Sequence, residues 1–486
     1  MKEIEVKRLL EKLRHIAMES CRCKRLDRSL EAIRASAAIQ YQWNQDYTDD
    51  ALESMLLKIA QTIELAPFQY RSSNPKTVLF YDGFGLDTRG LALIYIKAIC
   101  DLGYELIYVV PEEARHRQPE IHKVTKDGNI KFCYLKHESG LSKVHEMLKI
   151  FSEYQPTKAF FYTTPSDGEA CVAFACMKGR VIRYQINLTD HAFWLGINAF
   201  DYCLEFREYG ACVSRKYRHI PEDKIKMLSF YPFIDKTIPF AGFDFDTSGK
   251  RILFSGGSLY KTINRKETYY HIVSEILRRH EDVIFLYAGS GDDSGLMKLK
   301  QDFPHRVMHI KERTDLYALL CHTTLYLNTY PIIGGLMSQY ASAAGKPPMT
   351  LVDMEDSSLD GLVLNHKQLP LEFSKEADLL AEINDLLNHE EKLNALGEQV
   401  KKGILTESEF QESVRSLLEK NETGFSFELY DIDTCAFRWP YKDRFTNAMF
   451  EDAICNWQTK GLWKFFPGLF THKVLRKIKK KLKNNT

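Results

Sequence analysis

Arg251-Ile-Leu-Phe-Ser-Gly-Gly-Ser-Leu-Tyr-Lys261, continued by Thr262-Ile-Asn-Arg-Lys-Glu267, passes from a β-type run at 252–254 to a glycine pair, Gly256 and Gly257. Beyond Ser258 and Lys261, residues Tyr269, Ile272, Val273, Ile276 and Leu277 fall on one helical face. Strand, glycine turn and helix make a phosphate-holding geometry: glycines let the backbone come close, and a helix start offers unpaired N–H groups. Lys261 adds a point charge suited to a diphosphate, with Arg265 near enough in sequence to assist. A plain turn between a core strand and a surface helix fits the same residues, so a second feature is needed.

That feature is Leu325-Tyr-Leu-Asn-Thr-Tyr-Pro-Ile-Ile-Gly-Gly335-Leu-Met-Ser338. It is again strand, loop and glycine pair, Gly334 and Gly335, and it opens a helix of small residues. Gly345-Lys-Pro-Pro348 ends that helix before another strand at 349–352. Two glycine-gated helix starts in one α/β unit can grip one diphosphate from two sides.

The pairing resembles the C-terminal half of GT-B-fold nucleotide-sugar glycosyltransferases. Leu259-Tyr-Lys261 resembles the Leu-Tyr-Lys run of O-GlcNAc transferase and its bacterial protein-glycosylating relatives, where the lysine meets the donor diphosphate. Residues 328–338 with Ala344-Gly-Lys-Pro-Pro348 resemble that group's Asp-Thr-Pro, Asn-Gly-His-Thr-Thr and Gly-Thr-Pro segment. Gly335-Leu336-Met337 stands where the group has His-Thr-Thr, which leaves the phosphates to backbone N–H groups. The resemblance implies a donor site made of Gly256, Gly257, Ser258, Lys261, Arg265, Lys311, Gly334, Gly335, Leu336, Met337 and Ser338, with Glu355 near the ribose. It implies a UDP-sugar as substrate, with no cofactor and no metal.

The chain before this region also alternates. Strands are expected at 77–81, 105–110, 130–135, 159–163 and 181–186, with helices at 91–102, 142–154 and 168–177. This order starts a doubly wound sheet. Asp82-Gly83-Phe-Gly85 is the first glycine turn, but its third glycine is misplaced for a dinucleotide fingerprint. In the resembled family this loop faces the cleft, which implies cleft positions for Gly83, Gly85 and Arg89. Asn187-Leu-Thr-Asp190-His191-Ala-Phe-Trp194-Leu-Gly196 follows a strand end, where α/β sheets place ligands. His191 is a usable base for a sugar hydroxyl or a partner for the donor sugar. Asp190, His191 and Lys261 are therefore the candidate catalytic residues and Trp194 a candidate acceptor-side wall.

The expected organisation is α/β: two Rossmann-like doubly wound domains in a GT-B arrangement, with a helical N-terminal extension and a basic C-terminal helix. The boundaries are 1–72 for the extension, 73–240 for the acceptor domain, 250–422 for the nucleotide-sugar domain, and 423–486 for a return helix and tail. The return helix is expected within 441–459. Asp244-Phe-Asp246 looks like a metal-binding Asp-X-Asp, but it lies in the linker and reads as solvated acids.

With 44% hydrophobic and 27% charged residues, the chain has the composition of a globular protein with substantial cores. A net charge of +1 argues against nucleic acid as a partner. Eleven scattered cysteines without zinc spacing fit reduced thiols in the cytoplasm. No apolar run approaches the ~20 residues that span a bilayer. Trp463, Phe465, Phe466 and Phe470 precede a lysine-rich segment at 473–483, a pattern suited to an anionic membrane surface. A cytoplasmic enzyme held peripherally on the inner membrane face follows from these features. The functional expectation is sugar transfer to a lipid-linked, polysaccharide or protein acceptor. The alternatives are a non-catalytic adaptor of a surface glycosylation pathway and a nucleotide-sugar epimerase.

Overall fold

The computed structural model describes residues 3–43, 45–64, 76–85, 91–352 and 358–432. Three helices open the chain: α1 (Glu3–Arg22), α2 (Leu26–Trp43) and α3 (Asp50–Thr62). The first domain continues with β1 (Thr77–Asp82), α4 (Ala92–Asp101), β2 (Glu105–Pro111), α5 (Pro119–Val124), β3 (Ile130–Leu135), α6 (Gly140–Tyr154), β4 (Lys158–Tyr162), α7 (Gly168–Cys176) and β5 (Ile182–Asn187). It closes with β6 (Tyr202–Glu205), α8 (Glu208–Tyr217) and β7 (Ile225–Met227).

These strands form one seven-stranded sheet in the order β3-β2-β1-β4-β5-β6-β7. Every described pair is parallel, with Thr77 opposite Glu105 and Val78 opposite Lys158. Central β1 is buried at every position, as a strand covered on both faces must be. Its alternate side chains serve two cores. Leu79 and Tyr81 join Phe161, Phe174 and Phe151 on one face, while Val78 and Phe80 join Tyr95, Tyr108 and Phe160 on the other.

The second domain comprises β8 (Arg251–Gly256), α9 (Thr268–Arg279), β9 (Val283–Ala288), α10 (Ser294–Asp302), β10 (Val307–Ile310), α11 (Leu316–Cys321), β11 (Leu325–Leu327), α12 (Gly335–Ala343), β12 (Pro348–Leu351) and β13 (Glu372–Phe373). Helices α13 (Glu376–Asn388), α14 (Glu390–Lys402) and α15 (Glu407–Lys420) follow. Its sheet has six strands in the order β10-β9-β8-β11-β12-β13, again all parallel. Both sheets are therefore doubly wound about a first strand whose C-terminal end is a switch point, where ligands of such folds bind.

Helix α15 packs onto the first domain, upstream of the 441–459 segment expected to do so. Phe410, Val414, Leu417 and Leu418 enter the first domain's core, and Phe410 meets Tyr95 edge-on at 5.0 Å. The 441–459 segment and the basic aromatic tail lie outside the described residues. Further ties between the domains run from Gln339 Nε2 to Phe230 O (2.6 Å) and from Tyr340 Oη to Phe233 O (2.5 Å). No helix among the described residues is long and apolar enough to cross a membrane.

The N-terminal helices are not a separate arm. Leu13, Ile33, Leu52, Leu56 and Ile59 pack into the same core as Tyr81 and Phe174. From α3, the buried Glu53 accepts a 2.7 Å hydrogen bond from Gly196 N, in the loop that carries His191. Burial pushes the Glu53 carboxyl from 4.5 up to about 7, although the surrounding N–H groups favour its charge. A raised carboxyl stabilises the fold fully below its unfolded value, and that contribution fades as pH rises from 4.5 towards 7. Glu53→Gln is therefore expected to be more stable than wild type at pH 8, by on the order of 1–3 kcal/mol, and to show no gain below the unfolded value. Urea unfolding at both pH values checks this; a variant with the wild-type pH dependence would refute it.

Candidate active site

The donor-side residues converge through backbone contacts. Gly257 N donates to Ala288 O at 2.9 Å, and Tyr287 Oη donates to Gly257 O at 3.1 Å. Here the β8 turn nestles against the β9 turn: a Cβ on Gly289 would stand 1.9 Å from Gly257 O, so only glycine permits the approach. Lys261 sits in a short 3₁₀ turn, Leu259–Thr262. Its Nζ donates to Ile333 O at 3.3 Å, and its own carbonyl accepts from Ile332 N at 3.3 Å. Main chain and ammonium group are thereby both tied to the loop that enters α12.

The two glycine pairs adjoin. A Cβ on Gly334 would lie 3.6 Å from Gly256 O, and one on Gly256 would meet Met337 Cε at 3.0 Å. Asn328 shapes the turn: its Oδ1 accepts from Gly334 N (2.9 Å) and its Nδ2 donates to Ser338 Oγ (2.9 Å). Gly334 gives helix α12 no side-chain cap, and the N–H groups of such a first turn favour negative charge.

Ser338 differs from its expected place in the donor site. It is fully buried and its hydroxyl donates to Gly334 O at 3.0 Å, so it braces the turn from behind. Leu336 is exposed and Ser258 half-buried, while Arg265 and Lys311 are exposed. Glu355 and Arg89 lie outside the described residues.

On the acceptor side, Asp190 is fully buried and bound at both oxygens by Arg207, with Nε to Oδ2 at 2.5 Å and Nη2 to Oδ1 at 3.0 Å. Burial alone would raise this carboxyl, but the Arg207 guanidinium and His191 hold it well below the usual carboxylate range. That counts against its expected catalytic role: with its pKa held down it is a weak base, and Arg207 occupies both oxygens, one of which also lies beside His191. The Nδ1 of His191 lies 3.2 Å from Asp190 Oδ1, and its side chain is 33% exposed.

Arg207 and Arg218 escaped the sequence reading. Buried Arg218 spreads one Nη2 over Thr189 O (3.2 Å), Asp190 O (2.9 Å) and Ala192 O (2.8 Å), which fixes the His191 loop. Beneath it, burial pushes Glu205 up to about 7 against the pull of Arg218. An arginine embedded between aromatics, as in Phe206-Arg207-Glu208-Tyr209, was the available signal.

Trp194 is also corrected. It is 3% exposed among Phe200, Cys203, Ile220 and Ile225, with the Arg218 guanidinium 4.9 Å from its ring centroid. It belongs to a core and does not wall the cleft. Gly83 N donates to Tyr162 O at 2.8 Å, and Asp82 Oδ1 accepts from Gly85 N at 3.0 Å, fixing the β1 loop. Phe84 of this loop, Leu188 beside the Asp190 segment and Ile333 beside Lys261 all pack against one apolar cluster.

No protein-family model and no curated protein matches the chain. Among solved structures it is similar to Anabaena Alr3699/HepE in complex with UDP and glucose, at TM-score 0.51 and 11% identity, over 71% of this chain and 99% of that one. A Thermobaculum terrenum O-GlcNAc transferase mutant aligns at TM-score 0.49 and 15% identity, over 87% of this chain and 78% of that one. UDP-GlcNAc 2-epimerase from Neisseria meningitidis bound to UDP-GlcNAc aligns at TM-score 0.46 and 11% identity, over 71% and 98%. At these identities the likeness concerns the fold. Together with the two strand orders, the first of them leads to one conclusion: this chain has the GT-B fold, two Rossmann-like doubly wound domains.

Proposed function

We propose that the protein binds a UDP-sugar between its domains and transfers a hexosyl or N-acetylhexosaminyl group to a glycan, lipid-linked or protein acceptor without a metal. The observation that carries this reading is Lys261, whose ammonium group lies 3.3 Å from the carbonyl just before Gly334. Cation and helix start then face one ligand, and their charges would stabilise a departing diphosphate. Asp190 lies against Nδ1 of His191, and the imidazole it orients would address the acceptor hydroxyl or the donor sugar.

The test is a thermal-shift titration with UDP in the presence of EDTA, followed by turnover of UDP-sugars. A ligand at 100 times its dissociation constant stabilises by about 2.7 kcal/mol, which is readily seen. Absence of any shift with nucleoside diphosphates would sink the reading. A non-catalytic adaptor is favoured by one feature, Met337 lying over Gly256 where the resembled family has hydroxyls. Binding of UDP without turnover of any UDP-sugar would decide for it.

The reading includes a reversible hold on an anionic membrane surface by the basic aromatic tail, supported by sequence alone. Each Lys or Arg there contributes about 1 kcal/mol. The chain is expected to co-sediment with phosphatidylglycerol vesicles and not with phosphatidylcholine vesicles, and a chain ending at residue 459 with neither.

A further inference from the structure

The second-domain segment 359–362 crosses to the first domain and meets the backbone that carries Arg207. Asp360 Oδ2 accepts from Tyr209 N at 3.0 Å, capping α8 from the opposite domain. Gly361 has φ +66°, and a Cβ there would stand 2.1 Å from Phe206 O and 2.7 Å from Arg207 Cβ. Leu362 is buried in the first domain's core, and its Cδ1 would lie 3.3 Å from a Cβ on Gly335. The segment is anchored at home by Leu359 and Val363, both in the second core, and by Leu359 N donating to Glu372 Oε1 at 2.7 Å. Three consecutive residues therefore touch the Arg207 backbone on one side and the phosphate turn on the other.

We propose that Asp360 and Gly361 are positioning residues that hold the Arg207–Asp190–His191 arrangement in register with the Gly334–Gly335 turn. The inference rests on the nucleotide-sugar reading of the cleft and deepens it. Arg207 reaches both Asp190 oxygens only while its main chain is fixed, and the strap supplies the wall against which that main chain lies. Two other interdomain ties, at Phe230 and Phe233, fasten the domains without touching Arg207, while Lys367 Nζ donates to the neighbouring Glu208 Oε2 at 2.7 Å. A shift of the strap displaces the acceptor side relative to the donor phosphates and leaves the phosphate turn itself in place. Misplacement of that kind lowers turnover more than binding.

The experiment compares wild type with Asp360→Ala, Asp360→Asn and Gly361→Ala, measuring the Kd for UDP by calorimetry and kcat and KM with a UDP-sugar. Asp360→Ala and Gly361→Ala are expected to keep Kd within about twofold while kcat falls about tenfold, the scale of coupling through packed elements. Asp360→Asn keeps an oxygen for Tyr209 N and is expected to recover most of kcat. Should Gly361→Ala fail to fold, the Asp360 pair carries the comparison. Unchanged kcat in the variants, parallel loss of Kd and kcat, or no recovery in Asp360→Asn overturns the strap alone. A wild type that does not turn over UDP-sugars overturns the transfer reading, and the strap's role with it.

Discussion

Arg207→Met is expected to lower the unfolding free energy at pH 7 by about 3–5 kcal/mol, the usual result of removing one partner from a buried ion pair. Methionine fills much of the same volume, so the loss is electrostatic: Asp190, enclosed and charged, loses the guanidinium that binds both its oxygens and is left with His191 and the more distant charge of Arg218. The sign of the pH dependence follows from the depressed carboxyl. Its stabilisation is present above the unfolded Asp value of about 3.9 and is lost as pH falls through the lower folded value. The gap between variant and wild type should therefore be full at pH 7 and narrow below about pH 4. Adding Asp190→Asn to the variant should recover much of the loss, since no unpaired charge then remains. Urea unfolding at the two pH values measures all of this, and a loss below about 1 kcal/mol at pH 7 would show that the pair is worth no more than a surface one.

Lys261→Ala is expected to weaken UDP binding by about 1.5–3 kcal/mol, roughly tenfold to 150-fold, the range for a hydrogen bond to a charged group. Any change in the melting of the unliganded protein is read separately, since the half-buried side chain also donates to Ile333 O at 3.3 Å. Isothermal calorimetry separates the two effects. Equal affinity in variant and wild type would mean that the diphosphate does not sit between Lys261 and Gly334.

Much of this arrangement was legible in the chain. Strand β3 has the expected ends, 130–135, because strand-forming Ile130, Phe132, Cys133 and Tyr134 lie between turn residues. The first glycine pair was legible for a related reason: Gly257 has φ +122°, and its carbonyl oxygen stands 1.9 Å from where a Cβ on Gly289 would be. What stayed hidden depends on partners far apart in sequence. Trp194 beside Gly196 reads as a loop aromatic until Arg218 covers its ring and Glu53 fastens the glycine. Asp190 reads as a reactive carboxylate until Arg207, 17 residues on, takes both its oxygens. Helix α15 has the same charged-and-apolar pattern as α13 and α14, and nothing local states that Phe410 belongs with Tyr95 and Tyr231.

Because Glu53 fastens the backbone at Gly196, and Leu52 and Leu56 share a core with Leu195 and Phe174, the opening helices cannot be trimmed as a tag would be. A chain shortened to begin at the first strand would bare one flank of that domain to water and release the histidine loop. The minimal unit of this protein is therefore three layers deep on that side, and any fragment prepared for crystals or for engineering has to carry them.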